Sequence, residues 1–234
     1  MNTDYSYIDR NFEQITDGIE RAAASSPTGE VPELLIASKS ADLGEIEYLV
    51  EKYGIRRVGE NRVEQLLSRY DSFRALGLEV HFIGSLQTNK VAKIIDKVDL
   101  IHSLDRVSLA RELDKQARRR GICVDVLIEI NSAREEGKGG VLPENLEAFC
   151  NEISAFDAVK VRGFMTMGKK CEKKCEYLKY FCETYQLVLD IWTKKYDNIY
   201  KPIISMGMSD SFVQATQAGS TLVRIGRGMF IKNQ

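Results

Sequence analysis

Residues 123–130 read CVDVLIEI, a short apolar run rich in β-branched residues. Its length and composition predict a strand. Downstream, Pro143 stands at a first helical position, followed by Leu146, Phe149, Cys150 and Ile153 at helical spacing. Val159–Met165 then reads as a strand, about Glu172 to Lys195 as a long helix, and Pro202–Ser205 as a strand. Phe212–Ala218 follows as a short helix and Thr221–Ile225 as a last strand. Upstream, Leu100–Leu104 is a strand, followed by a helix with Val107, Ala110, Leu113 and Ala117 inward. Val80–Gly84 is a strand, followed by a short helix with Val91, Ile94 and Ile95 inward. Before those lie the strands Leu34–Ser38 and Arg57–Glu60. The helix after the first carries Leu43, Ile46, Leu49, Val50 and Tyr53, opened by an Asp42/Glu45 capping-box pattern and closed at Gly54. The helix after the second opens at Asn61 and Glu64, with Val63, Leu66, Leu67 and Tyr70 inward.

The sum is eight strands with seven helices between them and one helix in front, the last carrying Ile8, Phe12, Ile15, Ile19 and Ala22. Alternation of this kind implies βαβ units and a parallel sheet, and eight units close a TIM (β/α)8 barrel. Residues 1–29 form the N-terminal helix and its linker, Ser25-Ser26-Pro27-Thr28-Gly29. Residues 30–234 form the barrel, within a single α/β domain spanning 1–234. Only nine residues follow the last strand, so the N-terminal helix is expected to cover the place of the eighth. An open doubly wound sheet is the alternative, but no Gly-rich fingerprint follows the first strand.

The chain has 234 residues, 44% hydrophobic and 29% charged, with 33 Lys+Arg against 34 Asp+Glu. A chain of this length buries roughly 70% of its unfolded surface and needs no disulfide or metal. A net charge of −1 excludes a broadly basic nucleic-acid binder. No apolar run is long enough for a membrane span, and the polar start MNTDYSYIDRNFEQ is unlike a signal peptide. These features predict a soluble cytoplasmic protein. Five cysteines at 123, 150, 171, 175 and 182 are expected to be reduced. Cys171, Cys175 and Cys182 share a helical face with Leu178, Tyr185, Leu189 and Trp192, and that stripe predicts buried core. A metal site is the alternative there, with no histidine nearby.

In a barrel, chemistry gathers at the C-terminal ends of the strands. Lys39 closes the apolar run LLIAS and is expected to enter the barrel mouth. A lysine partly desolvated beside other cations becomes a nucleophile suited to a Schiff base. A lysine simply reaching solvent is the plainer alternative. After the seventh and eighth strands come SMGMSD (205–210) and RIGRG (224–228), where barrels often bind phosphate. Ser209 and Asp210 look like caps for the helix near Phe212, and Gly226 and Gly228 permit close approach to an anion; ordinary turns are the alternative. A phosphate opposite a strand-one lysine outlines a phosphorylated aldehyde, and pyridoxal 5′-phosphate (PLP) fits it. His81 and His102 are the only histidines, too few for a metal triad. His81, early in its strand, is as consistent with a core residue as with a functional one. The loop NSAREEGKGG (131–140) is placed as a lid carrying Lys138 or as plain solvated surface.

Several stretches together resemble the pyridoxal phosphate homeostasis proteins (the YggS/PROSC family). They are ASK (37–39), GENRVEQ (59–65), HFIGSLQTNK (81–90), HSLDR (102–106), GFMTM (163–167), SMGMSDSF (205–212) and GSTLVRIG (219–226). The resemblance spans almost the whole chain. It implies a barrel of the alanine-racemase N-terminal type, with Lys39 as the Schiff-base lysine and Asn61 near the cofactor ring. Ser205, Met206 and Ser209, with the backbone of Gly226 and Arg227, would surround the phosphate, and Arg224 would face the pyridine nitrogen. His81 and Lys138 match recurrent family positions without a definite role. Arg227 departs from the Thr or Ser frequent at that place, and the ending Phe230-Ile231-Lys232 departs from the usual Phe-Gly.

An arginine facing the pyridine nitrogen disfavours its protonation and weakens the cofactor as an electron sink. Racemases of this barrel type also draw a tyrosine from a second domain, for which this chain has no room. The resemblance therefore implies a non-catalytic PLP carrier that buffers or delivers the cofactor, with apo PLP enzymes as acceptors and a monomeric state. A PLP-dependent racemase, decarboxylase or lyase is the alternative. A sugar-phosphate enzyme using Lys39 without PLP is a third reading.

Overall fold

Strand β1 (Glu33–Ala37) pairs in parallel with both β2 (Arg57–Glu60) and β8 (Leu222–Ile225), and that double pairing closes the sheet. The remaining staves, in order round the barrel, are β3 (Glu79–Phe82), β4 (Leu100–Leu104), β5 (Val124–Ile130), β6 (Val159–Thr166) and β7 (Ile203–Ser205). The computed structural model describes residues 4–168, 171, 173–196 and 201–232. Within these, the helices are α1 (Ser6–Ala23), α2 (Leu43–Tyr53), α3 (Val63–Ala75), α4 (Val91–Ile94) and α5 (Val107–Arg120). They continue with α6 (Leu146–Ile153), α7 (Lys174–Lys195), α8 (Phe212–Gln217) and α9 (Arg227–Phe230). The predicted single (β/α)8 barrel is thus observed. The segment expected to start α7, at Glu172, lies outside the described residues, as do 1–3 and 233–234 at the ends of the predicted domain.

The strands are covered on both faces, which is why they read as apolar runs. Outside, they pack on the helices through one continuous core. Inside, Leu35, Ile83 and Leu222 form one cluster and Leu100, Leu127 and Met165 another. The bottom of the barrel is closed by ion pairs: Arg57 with Glu33 and Glu79 (3.1 and 2.8 Å), and Arg162 with Asp125 (2.8 Å).

The N-terminal helix does cover the last gap. α1 packs on α8 and α9, and Asn11 Nδ2 donates to the carbonyls of Met229 and Ile231 (2.9 and 3.0 Å). Asp9 accepts from Tyr48, Tyr53 and Lys52, tying α1 to α2. The Asp42/Glu45 capping box forms as predicted.

The cysteine stripe is corrected. Cys175 and Cys182 are exposed and Cys171 half-buried. α7 buries Phe181, Thr184, Val188, Ile191 and Trp192, a face rotated away from the thiols. Spacing shows which residues share a face, whereas the barrel decides which face is covered. Among the described residues no three His, Cys, Asp or Glu are placed to hold one metal ion, and no helix is long and apolar enough to cross a membrane.

Candidate functional site

β1 ends at Ala37, and residues 38–40 turn through one 3-10 turn over the C-terminal mouth. Lys39 is on that turn. It is exposed rather than desolvated, and it lines a cavity of about 380 Å³ in the mouth. Among the described residues no carboxylate pairs with its ammonium. The turn is held from below. Ser38 Oγ donates to the Gly59 carbonyl (3.1 Å), and Arg69 of α3 donates to the carbonyls of Ser38 and Ala41 (3.1 and 2.8 Å). Beneath Arg69 lies Glu60, fully buried, 3.5 Å away, with neither carboxylate oxygen hydrogen-bonded.

Asn61, Ser209, Arg224, Gly226 and Arg227 line the same cavity as Lys39. Asn61 owes its place to Gly84, where a Cβ would fall 2.1 Å from the Asn61 carbonyl oxygen; only glycine lets the two loops meet. Ser209 does not cap the helix near Phe212, and neither does Asp210. The N-cap of α8 is Ser211, and Ser209 Oγ instead accepts from Gly228 N–H (3.0 Å) while Asp210 pairs with Arg227 (3.1 Å). Both contacts join the loop after β7 to the loop after β8. A Cβ on Gly228 would crowd Ser209 at 3.0 Å, so a larger residue there would push on the tie. The N–H groups of Ser209, Asp210 and Arg227 donate to no protein acceptor among the described residues. Backbone donors left open at such a joint suit an anion.

Ser205 and Met206 do not line the cavity; both are fully buried. Met206 N–H is taken by Leu222 O (3.2 Å). Ser205 points into the barrel and supports Arg224, whose Nη1 donates to its carbonyl (2.8 Å) and hydroxyl (2.6 Å). Nη2 donates to Thr166 O (2.9 Å). Nη1 thus spends both of its N–H groups and Nη2 one, which leaves Nε and one Nη2 N–H unbonded among the described residues, and the residue lines the cavity. Burial pushes the Arg224 pKa down to about 10, with Glu129 opposing, so it stays cationic at neutral pH.

Five residues carried no definite role in the sequence: His81, His102, Glu129, Met167 and Met208. His102 bonds to Ser205 and His81 bonds to His102, inside the barrel. Met167 and Met208 add apolar lining to the cavity. Glu129, on the inner face of β5, stands in an adjoining lobe of about 300 Å³ with Lys138, and that lobe shares Asn61, Ile83 and Met167 with the first. An acid at the C-terminal end of an apolar parallel strand was the available signal for Glu129.

A profile of the alanine racemase N-terminal domain matches residues 11–234. The pyridoxal phosphate homeostasis protein of Aquifex aeolicus is 42% identical over 225 residues, covering 95% of each chain. That of Escherichia coli K12 is 32% identical over 229 residues, again 95% of each. Among solved structures, PipY of Synechococcus elongatus PCC7942 with PLP bound superposes with a TM-score of 0.78 at 24% identity. The match covers 96% of this chain and all of that one (100%). At that identity it shows the fold. Profile, relatives and barrel agree, and the chain belongs to the pyridoxal phosphate homeostasis protein family, with the alanine racemase N-terminal-domain fold.

Proposed function

We propose that this protein binds pyridoxal 5′-phosphate in the mouth cavity and buffers it or delivers it to apo PLP enzymes in the cytoplasm, without turnover of its own. One observation carries the reading. Lys39, the open Nε of Arg224 and the Ser209/Arg227 joint converge on a single cavity. Their chemistry fits the three ends of the cofactor: an amine for the aldehyde, a donor for the ring nitrogen, and open N–H groups for the phosphate. PipY, of the same fold, holds PLP. When bound, the cofactor supplies a reactive aldehyde and a conjugated ring. Lys39 would hold the aldehyde through a Schiff base, and Arg224 would meet the ring nitrogen as a fixed cation.

Two features argue for custody rather than catalysis. A permanent cation at the ring nitrogen opposes its protonation and weakens electron withdrawal. In the lobe that carries Lys39, the carboxylate among the described lining residues is Asp210, which is engaged by Arg227. The curated relatives are likewise named for homeostasis.

The test is the visible spectrum with added PLP, for wild type and Lys39→Ala, before and after borohydride reduction. The expected result is a yellow band absent from the variant, with reduction fixing the cofactor's mass on Lys39. A protein that stays colourless overturns the assignment. Repeated turnover of an amino acid would place the chain among PLP enzymes instead.

A further inference from the structure

We propose that the lobe beside the Lys39 cavity is a binding subsite for a primary alkylammonium group, with Glu129 as its counter-ion. The inference deepens the reading above and rests on it only for what the amine meets next door.

The lobe, about 300 Å³, has a specific charge imbalance. Glu135 is paired with Lys138 (2.5 Å), and Asp105 at the end of β4 is paired with Arg106 (2.6 Å). Glu129 has no such partner. Among the described residues its carboxylate accepts no hydrogen bond and forms no ion pair. Arg224 acts on it electrostatically, but both Nη groups of that guanidinium are bonded to Ser205 and Thr166. A Cβ built on Gly139 would lie 3.1 Å from Asp105 Oδ2 and 3.8 Å from Glu129 Oε2, so the two carboxylates face one gap across that glycine. Burial, reinforced by Asp105, pushes the Glu129 carboxyl up to about 7. A half-buried carboxylate that lacks a cation is strained toward taking up either a proton or an ammonium.

The other walls fit the same ligand. Asn131 stands beside Glu129, and Asn61, Ile83 and Met167 are shared with the lobe carrying Lys39. An ammonium donates three hydrogen bonds and accepts none. Its alkyl stem would run along Ile83 and Met167. The ammonium could belong to a small free amine or to a lysine side chain, and the subsite chemistry is the same for both.

The experiment titrates wild type, Glu129→Gln and Lys39→Ala with n-butylamine, and separately with a short blocked peptide carrying one lysine, by saturation-transfer NMR at pH 6 and pH 8. n-Butanol is the uncharged control. PLP uptake is read first on the same samples from the visible band. Wild type and Lys39→Ala should bind butylamine alike, Glu129→Gln about tenfold more weakly, and butanol should give no saturable signal. Wild-type binding should strengthen from pH 6 to pH 8 as Glu129 ionises, while an alkylamine stays protonated throughout (about pKa 10). The charged groups around Glu129 are Asp105, which carries Arg106 as its own partner, Glu135, Lys138 and Arg224. The Glu129→Gln variant keeps all five and should lose the pH dependence. Tighter binding of the peptide would identify a protein lysine as the source, and equal or weaker binding a free amine. Equal butylamine affinity in wild type and Glu129→Gln, or no gain with pH in wild type, overturns the subsite whatever PLP does. Failed PLP uptake beside Glu129-dependent amine binding overturns only the cofactor reading.

Discussion

His81 Nδ1 lies 3.0 Å from His102 Nε2, both rings buried within the barrel. His102 Nδ1 in turn lies 3.2 Å from Ser205 Oγ, which receives Arg224. One polarity uses every member. Arginine can only donate, so Ser205 accepts from it and donates its own O–H to His102 Nδ1. Burial above all holds His102 well below the usual imidazole pKa, so it is neutral and carries its proton on Nε2, toward His81. The chain therefore orients the arginine that faces the cofactor cavity. His102→Leu would leave the Ser205 O–H donor and His81 Nδ1 buried without partners, costing about 2–5 kcal/mol. Tm should fall by roughly 5–15 °C and PLP affinity with it. His102→Gln, which can accept from Ser205 and donate to His81, should recover most of both. Equal losses in the two variants would mean that ring volume, not the hydrogen-bond chain, is what matters.

Stability should depend on pH through two groups of opposite sign, buried His102 and half-buried Glu129. Unfolded His102 takes a proton near pH 6.5 that the folded chain refuses, so its contribution is present above that pH. It is lost as pH falls, by up to about 1.4 kcal/mol per unit. Glu129 is the reverse. Its folded pKa is raised to about 7, so its favourable contribution is lost as pH rises from the ordinary carboxylate range to 7. Glu129→Gln should gain on wild type between about pH 5 and 7 and then hold a constant lead of about 1–3 kcal/mol. Urea unfolding of both proteins across that range checks the difference. A lead that does not grow with pH would remove Glu129 from the account.

Arg69 and Glu60 support the turn that carries Lys39. Arg69 binds two carbonyls of that turn and is the cation 3.5 Å from the buried Glu60 carboxylate, whose pKa burial raises. Arg69→Met should cost about 3–5 kcal/mol, since it strands a buried charge, and it should loosen PLP. Glu60→Gln alone should be mild. The double variant should regain part of the loss, measured as a double-mutant cycle in urea. Simple additivity would show that the two side chains act independently.

What was legible followed from periodicity and position. CVDVLIEI and its neighbours marked the staves because parallel strands covered on both faces stay apolar. Lys39 and the turns after β7 and β8 were placed at the mouth because strand ends define it, and Asn61 and Arg224 were placed there by the family resemblance. What failed was direction. Ser205 sits at a strand end like Lys39, but it ends β7 on an inward position and is sealed beneath Arg224. Met206, one residue on, turns to the outer core. Ser209 had the composition of a helix cap, yet a glycine 19 residues away claimed its hydroxyl. Contacts of that range have no local signature. Glu129 was passed over because a single acid in a strand says nothing of whether a cation waits across the barrel.

The joint between the last two loops separates a structural tie from a surface charge. Ser209 Oγ holds Gly228 N–H at 3.0 Å, and the open N–H groups of Ser209, Asp210 and Arg227 take their directions from that tie. Arg227 pairs with Asp210 in the open, the two side chains 72% and 75% exposed, where ion pairs contribute little. Ser209→Ala should therefore weaken PLP binding by about three- to tenfold with little change in Tm. Arg227→Ala should weaken it by less than about threefold and make it less sensitive to salt. Arg227→Thr should behave like Arg227→Ala or slightly better, since its hydroxyl can donate to an anion. Dissociation of PLP, followed by the decay of its visible band against an aldehyde trap at two salt concentrations, ranks the variants. If Arg227→Ala released PLP faster than Ser209→Ala, the guanidinium rather than the shaped backbone would be what holds the phosphate.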